Sequence, residues 1–250
     1  LAINPINTSE LYSGGLDAYK STNNGANWTR FTYWVGTAPY VHADHHYAQY
    51  WISGGQTRMI MCTDGGVFYS TDNGATFKAI EVTGGDGCIV HINQQNPLIQ
   101  FGSYVYNQYR RSVNGGATWS SVNLSGSQGQ FVNPFDYDDA QNIMYCGNSA
   151  GTVRRWDNAN VSNTSSIITV TNMTGSLLSV KYSPYTANRI FFGTNNGKLF
   201  RLDNANTATS TAAVDISGAS FPSGTIICVN TGTDDNNLVA TYSNYGVNNV

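Results

Sequence analysis

Three short stretches hold the side chains best suited to chemistry. Tyr40-Val41-His42-Ala43-Asp44-His45-His46 carries three of the chain's four histidines. Asp64-Gly65-Gly66 and Gly84-Gly85-Asp86-Gly87 each set a carboxylate among glycines. Imidazoles and carboxylates in one region can hold a metal, pair as acid and base, or hydrogen-bond a sugar. Asp44, Asp64 and Asp86 are the candidate catalytic acids. His42, Asp44, His46, Asp64 and Asp86 form the candidate ligand-binding set. The same residues also suit a second role, tying neighbouring loops together, and Asp64 and Asp86 beside Gly are natural turn acids. Side chains alternate along an extended segment, so His42, Asp44 and His46 should point together, with at most one of His45 and His46 inward. Close spacing along a strand makes a weak chelate, so no metal and no cofactor are expected. Tyr40, Tyr47, Tyr104 and Tyr106 add flat rings with polar tips, which suit stacking on sugars.

The elements that position these residues follow from a repeat. Ser21-Thr22-Asn23-Asn24-Gly25-Ala26-Asn27-Trp28, Ser70-Thr71-Asp72-Asn73-Gly74-Ala75-Thr76-Phe77 and Ser112-Val113-Asn114-Gly115-Gly116-Ala117-Thr118-Trp119 share the pattern S-x-(D/N)-x-G-x-(T/N)-(W/F). Asn23, Asp72 and Asn114 can accept backbone N–H groups within the turn. Gly25, Gly74 and Gly116 can take positive φ. Trp28, Phe77 and Trp119 open the outgoing strand with an aromatic face to bury. The motif reads as a structural hairpin fastener, not as a catalytic acid.

A wider register surrounds the fasteners. Short apolar strands such as Phe131-Val132-Asn133-Pro134 lead through polar turns to strands such as Ile143-Met144-Tyr145-Cys146-Gly147. Third strands such as Gly197-Lys198-Leu199-Phe200-Arg201 follow. Even spacing of short strands means an all-β chain, and four strands in units of about 40–50 residues mean propeller blades. The expected fold is a β-propeller of four-stranded antiparallel blades, five and part of a sixth. The blades fall near 1–35, 36–83, 84–124, 125–174, 175–218 and 219–250, the last incomplete. The chain reads as a piece of a larger protein with further domains, since a propeller that does not close leaves raw sheet edges. The fasteners fall on turns between third and fourth strands. The His/Asp segments fall on connections at the opposite face, near the axis. Asp136-Tyr137-Asp138-Asp139 resembles half a calcium loop but aligns with first-to-second-strand turns and reads as a solvated turn.

Composition narrows the partners. Charged residues make up 11% of the chain and the net charge is -3, so a basic nucleic-acid patch is excluded. No apolar run approaches a membrane span. Cys62, Cys146 and Cys228 lie in expected strands and Cys88 at the start of one, which reads as buried thiols, with a Cys62–Cys88 bridge as the alternative.

The strings YVHADHH, TDGGVFYSTDNGATF, GGDG and RRSVNGGATW together resemble the BNR or Asp-box propellers, in particular secreted Bacteroidetes-type proteins related to sortilin-like and xyloglucanase-like propellers. The resemblance covers roughly Leu1 to Trp119; beyond that only the blade pattern continues. It implies a propeller exported by the type 9 route and placed outside the cell or on its surface. That group usually carries a further GxQDNGT blade before the GGDG element, which this chain lacks, so a gap near residues 78–88 is expected. Two functions are in view. One is a non-catalytic module binding glycan or extracellular protein. The other is a glycoside hydrolase related to the xyloglucanase-like propellers. That chemistry needs two carboxylates flanking the scissile bond. The two Glu are badly placed for it, Glu10 in a turn and Glu81 in an outer strand, so the pair would come from Asp44, Asp64 and Asp86.

Overall fold

A computed structural model describes residues 1–36, 38–80, 86, 89–124 and 127–243. Every helix or strand among them is a strand. The chain divides into two compact units, Leu1–Val122 and Asn123–Val250.

The first unit holds three four-stranded antiparallel blades. Blade one is β1 (Ala2–Ile3), β2 (Leu11–Gly14), β3 (Ala18–Ser21) and β4 (Thr29–Arg30). Blade two is β5 (His45–Ser53), β6 (Gln56–Thr63), β7 (Gly66–Ser70) and β8 (Lys78–Ile80). Blade three is β9 (Val90–Ile92), β10 (Gln100–Ser103), β11 (Gln108–Ser112) and β12 (Ser120–Asn123). The longest hairpin, β5–β6, turns at Gly54-Gly55 with φ of 61° and 73°. Such a two-residue turn needs positive φ at both positions, which glycine adopts without a steric cost.

Alternation along β6 builds the core of this unit. Met59 and Met61 pack with Tyr12, Ala18, Val41, Tyr50 and Phe68 between blades one and two. Ile60 and Cys62 point the other way, onto Trp51, Val67, Val90 and Ile92 between blades two and three. A strand buried on both faces places alternate residues in different layers, and burying side chains of this size stabilises each by roughly 1.5–3 kcal/mol.

The second unit repeats the plan with one departure. Blade four is β13 (Phe135–Asp138), β14 (Ile143–Gly147), β15 (Thr152–Trp156) and β16 (Ser166–Val170). Blade five runs β17 (Leu177–Tyr182), β18 (Ile190–Thr194) and β19 (Leu199–Leu202). The chain then visits the edge of blade four as β20 (Ser210–Thr211), parallel to β16, and returns as β21 (Val214–Asp215) beside β19. β22 (Ile226–Thr231) and β23 (Leu238–Tyr242) begin a sixth blade. Its third strand, expected toward Val250, lies outside the described residues, as do Glu81, Cys88 and residues 84, 85 and 87 of the GGDG element.

First-to-second-strand turns share one device. Asn4 and Asn93 Oδ1 each accept two following backbone N–H groups. Asp138 Oδ1 and Ser183 Oγ do the same. Asp138 is fully buried, and Asp136 Oδ2 accepts from Tyr182 N while pairing with Lys181. This corrects the expected solvated turn: Asp138 is covered and both acids accept main-chain N–H groups, Asp136 from the next blade. Cys62 and Cys146 are buried, whereas Cys228 on β22 is exposed, contrary to a buried thiol there.

Candidate binding site at the head of blade two

The three S-x-(D/N)-x-G turns lie between third and fourth strands of blades one to three. In each, the serine hydroxyl donates to the Asn or Asp oxygen and accepts from the glycine N–H. Ser21 Oγ meets Asn23 Oδ1 at 3.0 Å and Gly25 N at 2.9 Å. Ser70 meets Asp72 Oδ1 at 2.7 Å and Gly74 N at 2.8 Å. Ser112 meets Asn114 Oδ1 at 2.9 Å and Gly116 N at 2.9 Å. The same Asn or Asp oxygen then accepts the N–H of Asn27, Thr76 or Thr118. Trp28 and Trp119 donate their indole N–H to the carbonyls of Gly25 and Gly116. Trp119 and Phe77 pack on the cores, while Trp28 stays 38% exposed. Hydrogen bonds from Thr76 hold the exposed Asp72 carboxyl down at about 2. The serine hydroxyls and the side-chain oxygens of Asn23, Asp72 and Asn114 are thus each engaged within their own turn.

The His/Asp segment does not run extended. Asp44 sits at φ 60°, and the ladder between β5 and β6 shifts register between His45 and Tyr47. A left-handed residue followed by a bulge breaks the two-residue side-chain alternation. The expected common orientation of His42, Asp44 and His46 is therefore corrected. His45 turns inward, where its Nδ1 shares a hydrogen bond with the Tyr12 hydroxyl at 2.8 Å. Burial holds the His45 imidazole down at about 4, and burial likewise pushes the Tyr12 hydroxyl far up. Gly14 makes this approach possible, since a Cβ there would fall 2.6 Å from His45 Cβ.

His46 and Asp64 meet on the surface, Nε2 to Oδ1 at 2.5 Å. Both are exposed. Asp64 is brought in by the β6–β7 turn, whose backbone N–H donates to Asp44 O at 3.3 Å. Asp44 is exposed, and its carboxylate makes no hydrogen bond or ion pair among the described residues. His42 donates to Ala43 O through Nδ1 and packs on Gly65, where a Cβ would come within 2.3 Å. Asp44, His46 and Asp64 thus share the head of blade two, with His42 wedged behind. Asp86 is half-buried and makes no hydrogen bond or ion pair to them among the described residues. No group of three or more His, Cys, Asp or Glu suited to a metal occurs among the described residues.

The tyrosines divide. Tyr47 is exposed on β5 beside His46, and Tyr40 is exposed with its ring edge-on to Phe68. Tyr104 and Tyr106 lie half-buried on the β10–β11 connection of blade three, Tyr106 at φ 56°. Of the other residues weighed, Glu10 is buried in a turn. Burial would raise its carboxyl, but Lys20 and Asn73 hydrogen-bond it and hold it below the ordinary range. His91 is half-buried in β9.

Sequence reasoning missed a second turn motif. Asp157-Asn158-Ala159-Asn160 and Asp203-Asn204-Ala205-Asn206 occupy the turns after β15 and β19. Asn158 and Asn204 adopt φ of 49° and 53°, and Ala159 and Ala205 are fully buried. Ala159 N donates to Asn142 O and Ala205 N to Asn188 O, each at 2.8 Å. The repeated D-N-A-N string was the available signal; it lacks the glycine that marks the other turns.

No family model matches the chain, and no curated protein matches it by sequence. Solved structures do match. YCF48 from Cyanidioschyzon merolae superposes with a TM-score of 0.70 at 13% identity, over 96% of this chain and 77% of that one. A structure of YCF48 bound to D1 peptide gives 0.62 at 12% identity, over 92% and 70%. The GH74 xyloglucanase from Xanthomonas campestris gives 0.67 at 11% identity, over 92% of this chain but only 41% of the enzyme. At such identities the likeness is one of fold, and with the four-stranded antiparallel sheets it identifies the chain as a β-propeller.

Proposed function

We propose that this chain is a non-catalytic propeller module of BNR type that binds glycan or protein outside the cell. The observation that carries the reading is the exposed His46–Asp64 pair, with exposed Asp44 tied to it through the main-chain bond from Asp64 N to Asp44 O and exposed Tyr47 following His46 in β5. An imidazole and two carboxylates supply directional partners for hydroxyl or amide groups, and a flat ring beside them suits stacking on a sugar. The serine-centred turns support the BNR assignment, because their serine and Asn23, Asp72 and Asn114 oxygens bond within the turn. The Bacteroidetes-type strings support export by the type 9 route and a place at the cell surface. A neighbour in fold, YCF48, has been captured with a peptide, which supports keeping protein among the ligands. The test is titration of the intact protein against a glycan array and a panel of surface proteins. Asp64→Asn should weaken binding at least tenfold, whereas Asp72→Asn should leave it unchanged. Equal loss in both variants would refute the assignment of this site.

A second reading rests on a separate observation. The bond from Asp64 N to Asp44 O sets two acids on one edge, and a glycoside hydrolase needs a carboxylate pair across its substrate. Release of reducing ends from xyloglucan, abolished by either Asp44→Asn or Asp64→Asn, would establish it in place of simple binding.

A further inference from the structure

We propose that Asn24 is a self-modification site: the first of the chain's four Asn–Gly pairs to deamidate, at a rate set by the Ser21 hydroxyl. The pairs are Asn24-Gly25, Asn73-Gly74, Asn114-Gly115 and Asn196-Gly197. In such a pair the glycine nitrogen attacks the asparagine Cγ. A C–N bond forms, the side-chain nitrogen leaves as ammonia, and a cyclic imide results. Water then opens either carbonyl of the imide, giving aspartate or isoaspartate. Glycine is the permissive partner because no side chain shields its nitrogen.

The four sites differ in what holds the carboxamide. Asn73 Nδ2 donates to Glu10 Oε1 at 2.9 Å. Asn114 Oδ1 accepts Thr118 N at 2.9 Å while Nδ2 donates to Thr118 Oγ1 at 2.8 Å. Asn196 Oδ1 accepts Thr194 Oγ1 at 2.6 Å and Nδ2 donates to Thr174 Oγ1 at 3.1 Å. Asn24 is exposed, and its carboxamide makes no hydrogen bond among the described residues. Only its nucleophile is restrained: Gly25 N–H donates to Ser21 Oγ at 2.9 Å. Asn24 itself is held at φ 57° by its N–H bond to Ser9 O at 3.0 Å. The reaction therefore waits for one local opening, release of Gly25 N from Ser21. At the other three sites the side chain must be freed as well. Isoaspartate at this position would add a charge and lengthen the main chain inside the turn.

Incubating the folded full-length chain at mildly alkaline pH, with peptide mapping by mass spectrometry, tests this. The Asn24 peptide should gain the carboxyl mass before the other three. Ser21→Ala should speed Asn24 by about fivefold, the factor one hydrogen bond of ordinary strength controls, and leave Asn114 and Asn196 unchanged. Ser21→Thr, which keeps the hydroxyl, should stay slow. In denaturant the ranking should vanish. Conversion led by another pair in the folded wild type overturns the proposal, as does a ranking that survives denaturant. If Ser21→Ala does not fold, the wild-type ranking alone decides.

Discussion

The two units solve one problem, closing the turn between a blade's third and fourth strands, with different chemistry. In the first unit a serine hydroxyl and an Asn or Asp side chain bridge the turn from within. In the second, a left-handed Asn drives a buried alanine N–H onto the neighbouring hairpin turn of the same blade. The links between blades differ in the same way. Blades one and two meet through neutral His45 on Tyr12 and through Lys20, Glu10 and Asn73. Blades four and five meet through Arg155, whose Nη1 donates to Ala205 O at 3.1 Å and Ala208 O at 2.9 Å, with Asp157 on its Nε side. Arg189 continues the series to Asp203 and Asp235. A guanidinium keeps its charge at every accessible pH, whereas an imidazole does not. The first unit carries all four histidines, so mild acid should distinguish the two.

The largest expected effect is on the second unit. Arg155→Ala leaves the Ala205 and Ala208 carbonyls without their donor and should cost about 3 kcal/mol, read by denaturant unfolding of the whole chain. A loss near that of a surface arginine would mean the seam does not depend on it. Next comes acid. The His45 imidazole titrates at about 4 when folded and near 6.5 when unfolded. Above 6.5 neither state binds the proton. Between 6.5 and 4 the unfolded state takes it up and stability falls, by up to about 1.4 kcal/mol per pH unit. His45→Gln should flatten that slope, and hydrogen exchange should place the weakening in blades one and two. Slowest exchange there at pH 5 would contradict the comparison.

How far the sequence alone carries depends on whether a feature is local. The serine-centred turns were legible because spacing, side-chain oxygen and glycine all act within eight residues. The blades were legible because short apolar strands, polar turns and the serine-centred motif recur at even spacing along the chain. The orientation of His45 and His46 was not, because the left-handed Asp44 and the bulge after it depend on contacts with Leu16 and Thr63. Burial of Asp138 was hidden for a similar reason: a turn acid looks the same in sequence whether water or a neighbouring strand covers it. The β20 excursion leaves no periodic signal at all.

Smaller effects sharpen the turn comparison itself. Ser70→Ala should cost about 1 kcal/mol, as loss of a local cap does, and Asn204→Gly only a few tenths, because glycine accepts the same φ. Asp72→Asn should be nearly neutral at pH 7, since Asn23 and Asn114 fill the same role. The Asp72 carboxyl, held at about 2 against 3.8 unfolded, contributes stability above 3.8 that disappears as pH falls through 2. Only the wild type should show that small acid loss; the same loss in Asp72→Asn would assign it elsewhere.

The β20 excursion has a consequence for how the molecule behaves in a crowd. Thr169 N donates to Thr209 O at 2.8 Å and Thr171 N to Thr211 O at 2.9 Å, while Asn172 exchanges two bonds with Ala213. The outer edge of blade four is thereby already paired. An open strand edge invites pairing with a foreign chain, and proteins blunt such edges to stay soluble. Here the chain spends a piece of its own next blade as the stopper, so strand-to-strand aggregation has no template at β16.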